Sequence, residues 1–148
     1  MKNYMDFVKN SVTLGCFGYL PASGTWGSLC ALPLVYIISG YSFAVQAAII
    51  ALFTFISYGL IHRSLPHFSE KDPSVIILDE FVGCCITFFC IPLSLTTIVA
   101  GFLLFRFFDI VKPLGIAHSE KLPGALGILL DDCCAGLLAN IILWYLFV

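Results

Sequence analysis

The fold of this chain is decided by residues 75–112, which read VIILDEFVGCCITFFCIPLSLTTIVAGFLLFRFFDIVK. No charged residue occurs from Phe81 to Phe105, and a turn-forming sequence around Pro92 interrupts the apolar run. Proline removes a backbone donor and crowds the preceding turn, so a reversal of the chain is expected there. The stretch therefore predicts a hairpin of two apolar helices over residues 75–91 and 95–111.

The sequence before and after this stretch also contains long apolar segments. The region between Lys9 and Arg63 carries no Asp, Glu, Lys or Arg, and a turn signal at residues 39–42 divides it. It predicts a second hairpin over residues 27–39 and 43–61, and a last apolar helix runs from about residue 129 to the end of the sequence. The two short spans, 27–39 and 75–91, leave open whether each fully crosses a bilayer or is tilted or partly re-entrant.

Composition indicates whether these helices are surrounded by water or by lipid. The chain is 60% hydrophobic and 11% charged, whereas soluble domains are about 45–50% apolar and about 25% charged. We therefore expect an all-α, polytopic membrane bundle of about five helices, arranged as two hairpins plus a C-terminal helix and forming one domain over residues 1–148. The net charge of -2 and the lack of a basic run exclude nucleic acid as a partner. The sequence leaves the oligomeric state open.

The charged residues predict an orientation in the membrane. Five spans place the N-terminal segment and the loops 62–74 and 112–128 on one side, and that side then holds every Lys and Arg of the chain. Cytoplasmic loops of membrane proteins are enriched in these residues. We therefore expect this side to face the cytoplasm.

Two acids fall within a predicted span. Residues 81–91 alone would extend only about 16 Å, about half the thickness of the bilayer core, so the helix is expected to begin near Val75 and to include Asp79 and Glu80. Carboxylates at membrane depth are expensive and are functional candidates by default. A structural salt bridge is the alternative explanation.

Further charged residues return to the same side on the next two helices. Arg106, Asp109 and Lys112 are spaced by three and should share one stripe of a helix, and Asp131 and Asp132 open the last span. Five carboxylates thus converge with one arginine and one lysine. A divalent cation would neutralise the excess, and ligands that are all oxygen favour Mg²⁺ or Mn²⁺ over zinc.

A glycine-rich segment, residues 14–28, precedes the first span. Glycines allow backbone amides to face an anion at a helix N-terminus, which makes Ser23, Gly24 and Thr25 candidate phosphate contacts together with Arg106 and Lys112. A flexible connecting loop is the alternative. Metal-binding carboxylates beside an anion cradle at a membrane surface predict phosphoryl transfer from a lipid headgroup, with water as the acceptor.

At these residues the sequence resembles a known family. Four strings in register look like the motifs of phosphatidylglycerophosphatase A: PASGTWGS at 21–28, LDEFVG at 78–83, FRFFDIVKP at 105–113 and GILLDDCCAG at 127–136. The resemblance implies a Mg²⁺-dependent lipid phosphatase of the bacterial inner membrane, which converts phosphatidylglycerophosphate to phosphatidylglycerol. Its partners would be that substrate and the surrounding membrane lipids.

The resemblance also assigns roles to individual residues. The acidic positions of the family carry over to Asp79, Glu80, Asp131 and Asp132, and Asp109 is a further candidate ligand. We take Asp79, Glu80 and Asp132 as the catalytic set and all five acids as candidate metal ligands.

Two other classes of protein use acids inside membrane helices. A small proton-coupled transporter would place them near the midplane of the bilayer, with access from both sides. A CDP-alcohol phosphotransferase would show a longer series of aspartates, D-x2-D-G-x2-A-R…G-x3-D-x3-D, and this sequence lacks it.

Overall fold

The computed structural model describes residues 2–70 and 73–148, and within these ranges it is helical without strands. Six α-helices follow one another along the chain: α1 Lys2–Val12, α2 Ser23–Ile38, α3 Phe43–Ser64, α4 Leu78–Thr87, α5 Leu95–Val111 and α6 Ala125–Phe147. Short 3₁₀ helices occupy the connections at Phe17–Tyr19, Leu65–His67 and Ile116–Lys121. The prediction of an all-α fold is confirmed.

Local signals explain the two helices whose starts were predicted correctly. Helix α5 begins after Ser94, which forms a capping box with Thr97: each side chain bonds the backbone N–H of the other residue. The helix stops at Val111, ahead of Pro113, as predicted. Helix α3 starts at Phe43 as expected but continues to Ser64, because the polar residues His62 and Arg63 are good enough helix formers at an exposed end.

Helix α4 was predicted wrongly at both ends, since it spans Leu78–Thr87 and not residues 75–91. Asp79 and Glu80 lie within the helix, as predicted, but in its first turn. Ahead of the helix the backbone has other partners: Ser23 Oγ donates to the carbonyl oxygen of Ser74 at 2.7 Å, and the Ile77 N–H donates to that of Val12 at 3.0 Å.

Two other helix starts differ from the prediction, and one helix was not predicted. Helix α2 begins at Ser23 and not at residue 27, so its first turn contains the residues interpreted as the end of a glycine-rich loop. Helix α6 begins at Ala125, one turn before the predicted start at 129. Helix α1 was not predicted, because its sequence KNYMDFVKNSV is polar; it packs on α3, with Val8 and Val12 fully buried.

Helix α4 is the central element of the bundle. It contacts α2, α3, α5 and α6, and most of its side chains are buried. Small residues allow the closest approach, because Gly83 of α4 lies against Gly136 of α6 and a Cβ at Gly83 would lie 2.7 Å from the Asp132 carbonyl oxygen. Small residues thus hold the first turn of α4 beside the acidic turn of α6.

The far end of α4 is held by side chains of neighbouring helices. With ten residues the helix is about 15 Å long, and the chain continues without regular structure to Ser94. Asn140 of α6 donates to the carbonyl oxygens of Thr87 at 3.0 Å and of Phe89 at 2.8 Å, and Gln46 Oε1 of α3 accepts from the Cys90 N–H at 3.0 Å. These bonds satisfy backbone groups that would otherwise lack a partner.

In the part of the chain that the structure describes, two helical segments are long and apolar enough to cross a membrane, namely Phe43–His67 and Ala125–Phe147. Helix α2 is a shorter apolar helix. Large apolar side chains point outward from several helices, and Phe55 is 76% and Tyr145 87% exposed. Exposed apolar surface of this kind suits contact with lipid, which indicates membrane association.

Candidate active site

The functional residues predicted from the sequence meet around one cavity of about 270 Å³. The first turns of α2 and α4, the C-terminal end of α5 and the second turn of α6 surround it. All seven charged candidates line this cavity: Asp79, Glu80, Arg106, Asp109, Lys112, Asp131 and Asp132. Its uncharged lining consists of Ala22, Ser23, Gly24, Pro73, Ser74 and Ile76.

Three of the acids form a compact cluster. Asp79, Glu80 and Asp132 each offer an oxygen, and these oxygens lie within 4.8 Å of one another. Asp79 is 7% and Asp132 3% exposed. Buried carboxylates this close repel one another strongly unless a cation lies between them.

The donor set of this cluster suits a hard divalent cation. Glu80 Oε2 and Asp132 Oδ1 are buried and accept no hydrogen bond from the described residues. Mg²⁺ binds oxygen ligands at about 2.0–2.1 Å in octahedral geometry, so its ligand atoms lie within about 4.2 Å of one another. A small inward movement of these side chains would meet that requirement, and the residues present therefore fit Mg²⁺.

The other two acids pair with the two cations of the cavity. Arg106 Nη1 lies 2.6 Å from Asp109 Oδ2, one turn further along α5. Lys112 Nζ donates to Asp131 Oδ2 at 2.6 Å, which joins the end of α5 to α6. The five predicted metal ligands are thus divided between a carboxylate cluster and two ion pairs.

The start of α2 forms another wall of the cavity. Ala22 has a left-handed conformation, with φ 57°, and provides no side-chain cap for the helix. Ala22, Ser23 and Gly24 line the cavity. Gly24 lies directly against the charged residues, since a Cβ there would be 2.5 Å from Glu80 Oε1 and 2.6 Å from Arg106 Nη1. Thr25 is placed differently from Ser23 and Gly24: it does not line the cavity, and its N–H donates to the Ala22 carbonyl oxygen at 2.8 Å.

Sequence analysis missed the segment at residues 73–76. Pro73, Ser74 and Ile76 line the cavity beside the start of α4. Pro73 could have marked a loop before the acidic motif. Nothing in the sequence relates Ser74 to Ser23, 51 residues away, although their hydrogen bond joins this segment to α2.

Comparison with known proteins agrees with this site. The model of a family described as phosphatidylglycerophosphatase A matches residues 11–147, which include every residue of the cavity. The chain belongs to the phosphatidylglycerophosphatase A family. Membership of this family makes the chain an enzyme, a phosphatase, and the resemblance inferred from the four motifs is confirmed.

Three curated relatives match most of the length of this chain. A Haemophilus influenzae protein named phosphatidylglycerophosphatase A is 39% identical over 84% of this chain and 78% of its own length. An Escherichia coli protein of the same name is 31% identical over 83% of this chain and 73% of its own length. A Bacteroides thetaiotaomicron protein, provisionally named a phosphatidylinositol-3-phosphatase, is 34% identical over 85% and 84%. No solved structure matches the chain significantly.

Proposed function

We propose that this phosphatase is Mg²⁺-dependent and hydrolyses phosphatidylglycerophosphate to phosphatidylglycerol and inorganic phosphate. The observation that carries the proposal is the cluster of Asp79, Glu80 and Asp132, which faces a cavity that also contains Arg106 and Lys112. Acidic ligands for a metal and cations for an anion are the two requirements of phosphomonoester hydrolysis. Two relatives named for this activity support the choice of substrate.

Asp79, Glu80 and Asp132 are the residues that would hold Mg²⁺. When bound, the ion supplies Lewis-acid polarisation of the phosphoryl oxygens. The first turn of α4 suits two of these carboxylates, because the positive end of a helix dipole stabilises negative charge.

The remaining residues of the cavity bind the phosphate and transfer protons. Arg106, Lys112 and the first-turn amides of α2 would contact the terminal phosphoryl group, and Gly24 leaves space for it beside Glu80. The attacking water gives one proton to a buried carboxylate oxygen, either Glu80 Oε2 or Asp132 Oδ1. The water oxygen forms a bond to phosphorus as the bond from phosphorus to the glycerol oxygen breaks, and the proton held by the carboxylate passes to that oxygen, which leaves as the hydroxyl of phosphatidylglycerol.

The proposed location is the bacterial inner membrane, with several spans and the site facing the cytoplasm. Helices α3 and α6 have the length and apolarity to cross, and we propose that α2, α5 and the α4 segment cross beside them. The cavity lies at the end of the bundle where the charged residues gather, and positive charge marks the cytoplasmic side. The diacylglycerol part of the substrate would stay in the bilayer while its terminal phosphate enters the cavity.

The transporter alternative requires acids near the middle of the membrane. Here Asp79 and Glu80 lie in the first turn of α4 and open onto a cavity at one end of the bundle. This position favours the phosphatase.

The proposal is tested by supplying phosphatidylglycerophosphate to purified protein in detergent and measuring released phosphate. We expect release with Mg²⁺ and none with EDTA, restored by excess Mg²⁺. Phosphatidylinositol-3-phosphate should be assayed in parallel, because one relative is named for that lipid. No release from phosphatidylglycerophosphate under any metal condition would refute the proposal, and a higher kcat/KM for the inositol lipid would refute the choice of substrate.

A further inference from the structure

We infer that Asp109 and Asp131 are positioning residues, which hold Arg106 and Lys112 in place for the phosphate, and that neither is a ligand of the metal. The inference rests on the proposed function and refines the roles within its site. It separates five acids that look equivalent in the sequence into two groups with different tasks.

The contacts of the two acids are the first reason. Each commits one oxygen to a cation at 2.6 Å, Asp109 to Arg106 and Asp131 to Lys112. The Lys112–Asp131 contact is a charge-assisted hydrogen bond, the stronger kind, which fixes both distance and direction. The Arg106–Asp109 contact is an ion pair of the same length. A divalent ion on the same carboxylates would bring its charge close to both cations.

The geometry of the cluster is the second reason. Among the described residues, the oxygens that come within 4.8 Å of one another belong to Asp79, Glu80 and Asp132. Asp131 lies outside this group, and Asp109 borders it through a side-chain hydrogen bond with Asp132. The neighbours Asp131 and Asp132 thus differ in role, since one contacts the end of α5 and the other faces the acids of α4.

The backbone at Lys112 is the third reason. Lys112 follows the last turn of α5 in a left-handed conformation, with φ 49° and ψ 51°. Glycine or asparagine usually occupies such a position, and another residue there indicates a constraint. Here the conformation ends the helix ahead of Pro113, and the side chain reaches Asp131 on α6. Arg106 is held within α5 itself, since Asp109 lies one turn further along.

The inference predicts a split between metal binding and phosphate binding. We expect Asp109→Asn and Asp131→Asn to bind Mn²⁺ as the unaltered protein does, when free Mn²⁺ is followed by electron paramagnetic resonance in detergent. Both variants should raise KM for phosphatidylglycerophosphate by about tenfold or more, the scale expected when a close contact between charged groups is lost. Asp132→Asn serves as the matched control, and it should weaken Mn²⁺ binding.

Double variants test whether each acid acts through its cation. Asp131→Asn should raise KM in the unaltered protein but add little on a Lys112→Met background, and Asp109→Asn should behave likewise on an Arg106→Met background. A metal ligand would instead show its full effect on either background. Loss of Mn²⁺ affinity in Asp109→Asn or Asp131→Asn comparable with that in Asp132→Asn would overturn the inference for that residue.

The Mn²⁺ measurement also keeps the two proposals distinguishable. It needs no substrate and no turnover, so it decides the metal part even if the protein releases no phosphate from the lipid. In that case the affinity for inorganic phosphate, measured by calorimetric titration into Mn²⁺-loaded protein, is compared in place of KM. Unchanged phosphate affinity in both variants would then overturn the positioning role.

Discussion

Gly136 of α6 lies so close to Gly83 of α4 that a Cβ on Gly136 would overlap the Gly83 carbonyl oxygen. This contact sets the separation of the two helices that carry Asp79, Glu80, Asp131 and Asp132. We predict that Gly136→Ala lowers stability by about 1–3 kcal/mol, as overpacking does in protein cores. Thermal unfolding in detergent measures the loss.

The matched control for this change is Gly59→Ala. Nothing lies within 4 Å of a Cβ at Gly59, in the interior of α3, so alanine should be neutral or stabilise by up to about 1 kcal/mol. An unfolding temperature for Gly136→Ala equal to that of Gly59→Ala would contradict the packing explanation.

We predict that replacing Gly24 with alanine lowers activity. In Gly24→Ala the new Cβ would meet Glu80 Oε1 at 2.5 Å and Arg106 Nη1 at 2.6 Å, so both side chains must move. Shifts near 1 Å at an active site cost about 100-fold in rate, and we expect a decrease of that order in kcat/KM, with folding retained. Gly59→Ala again provides the control, and near-normal activity in Gly24→Ala would show that the cavity tolerates the methyl group.

The carboxylate cluster predicts which acids are indispensable. Asp79→Asn, Glu80→Gln and Asp132→Asn preserve shape but remove charge from groups whose oxygens lie within 4.8 Å of one another. Phosphate release should fall by more than the roughly 10–100-fold that follows loss of an outer partner of a metal site. Asp6→Asn, on the exposed side of α1, is the matched control and should keep full activity. Near-normal turnover in a cluster variant would remove that residue from the catalytic set.

We predict that replacing Asn140 lowers the stability of the protein but does not change the Mg²⁺ concentration that activity requires. Asn140→Leu removes the donor to the Thr87 and Phe89 carbonyl oxygens, at the end of α4 opposite Asp79. We expect destabilisation of about 1–3 kcal/mol for each carbonyl left without a partner, but the same Mg²⁺ concentration for half-maximal phosphate release. A change in that concentration with no change in unfolding temperature would show that Asn140 acts on the site.

The orientation in the membrane can be tested by labelling. With the seven native cysteines replaced, a single cysteine at the exposed Ser69 should react only from the cytoplasm, and one at the exposed Ser42 only from outside. Labelling of the Ser69 position in intact cells by an impermeant reagent would overturn the proposed orientation.

Local sequence signals predicted some helix boundaries well and others poorly. The start of α5 followed from the turn signal around Pro92, because proline acts on the backbone within one turn. The bounds of α4 were wrong because they were inferred from the thickness of a bilayer. The true end depends on Asn140, 53 residues away from Thr87, and no local pattern shows such a contact.

The same distinction applies to the site. Charge placement and motifs predicted that seven charged residues belong to one site, and all seven line one cavity. Which acid meets which cation was not predictable, since Lys112 reaches Asp131 only through a left-handed backbone and the packing of α5 on α6.

The irregular segment after α4 has a consequence for how the chain is made. In a bilayer, backbone groups without partners are costly, so a ten-residue helix followed by non-helical backbone is a poor span by itself. Its carbonyl oxygens are satisfied by Asn140 of α6, which is synthesised after α4. In the proposed topology, integration of α4 is therefore completed only after α6 has been synthesised, so the active site forms late in translation of these helices.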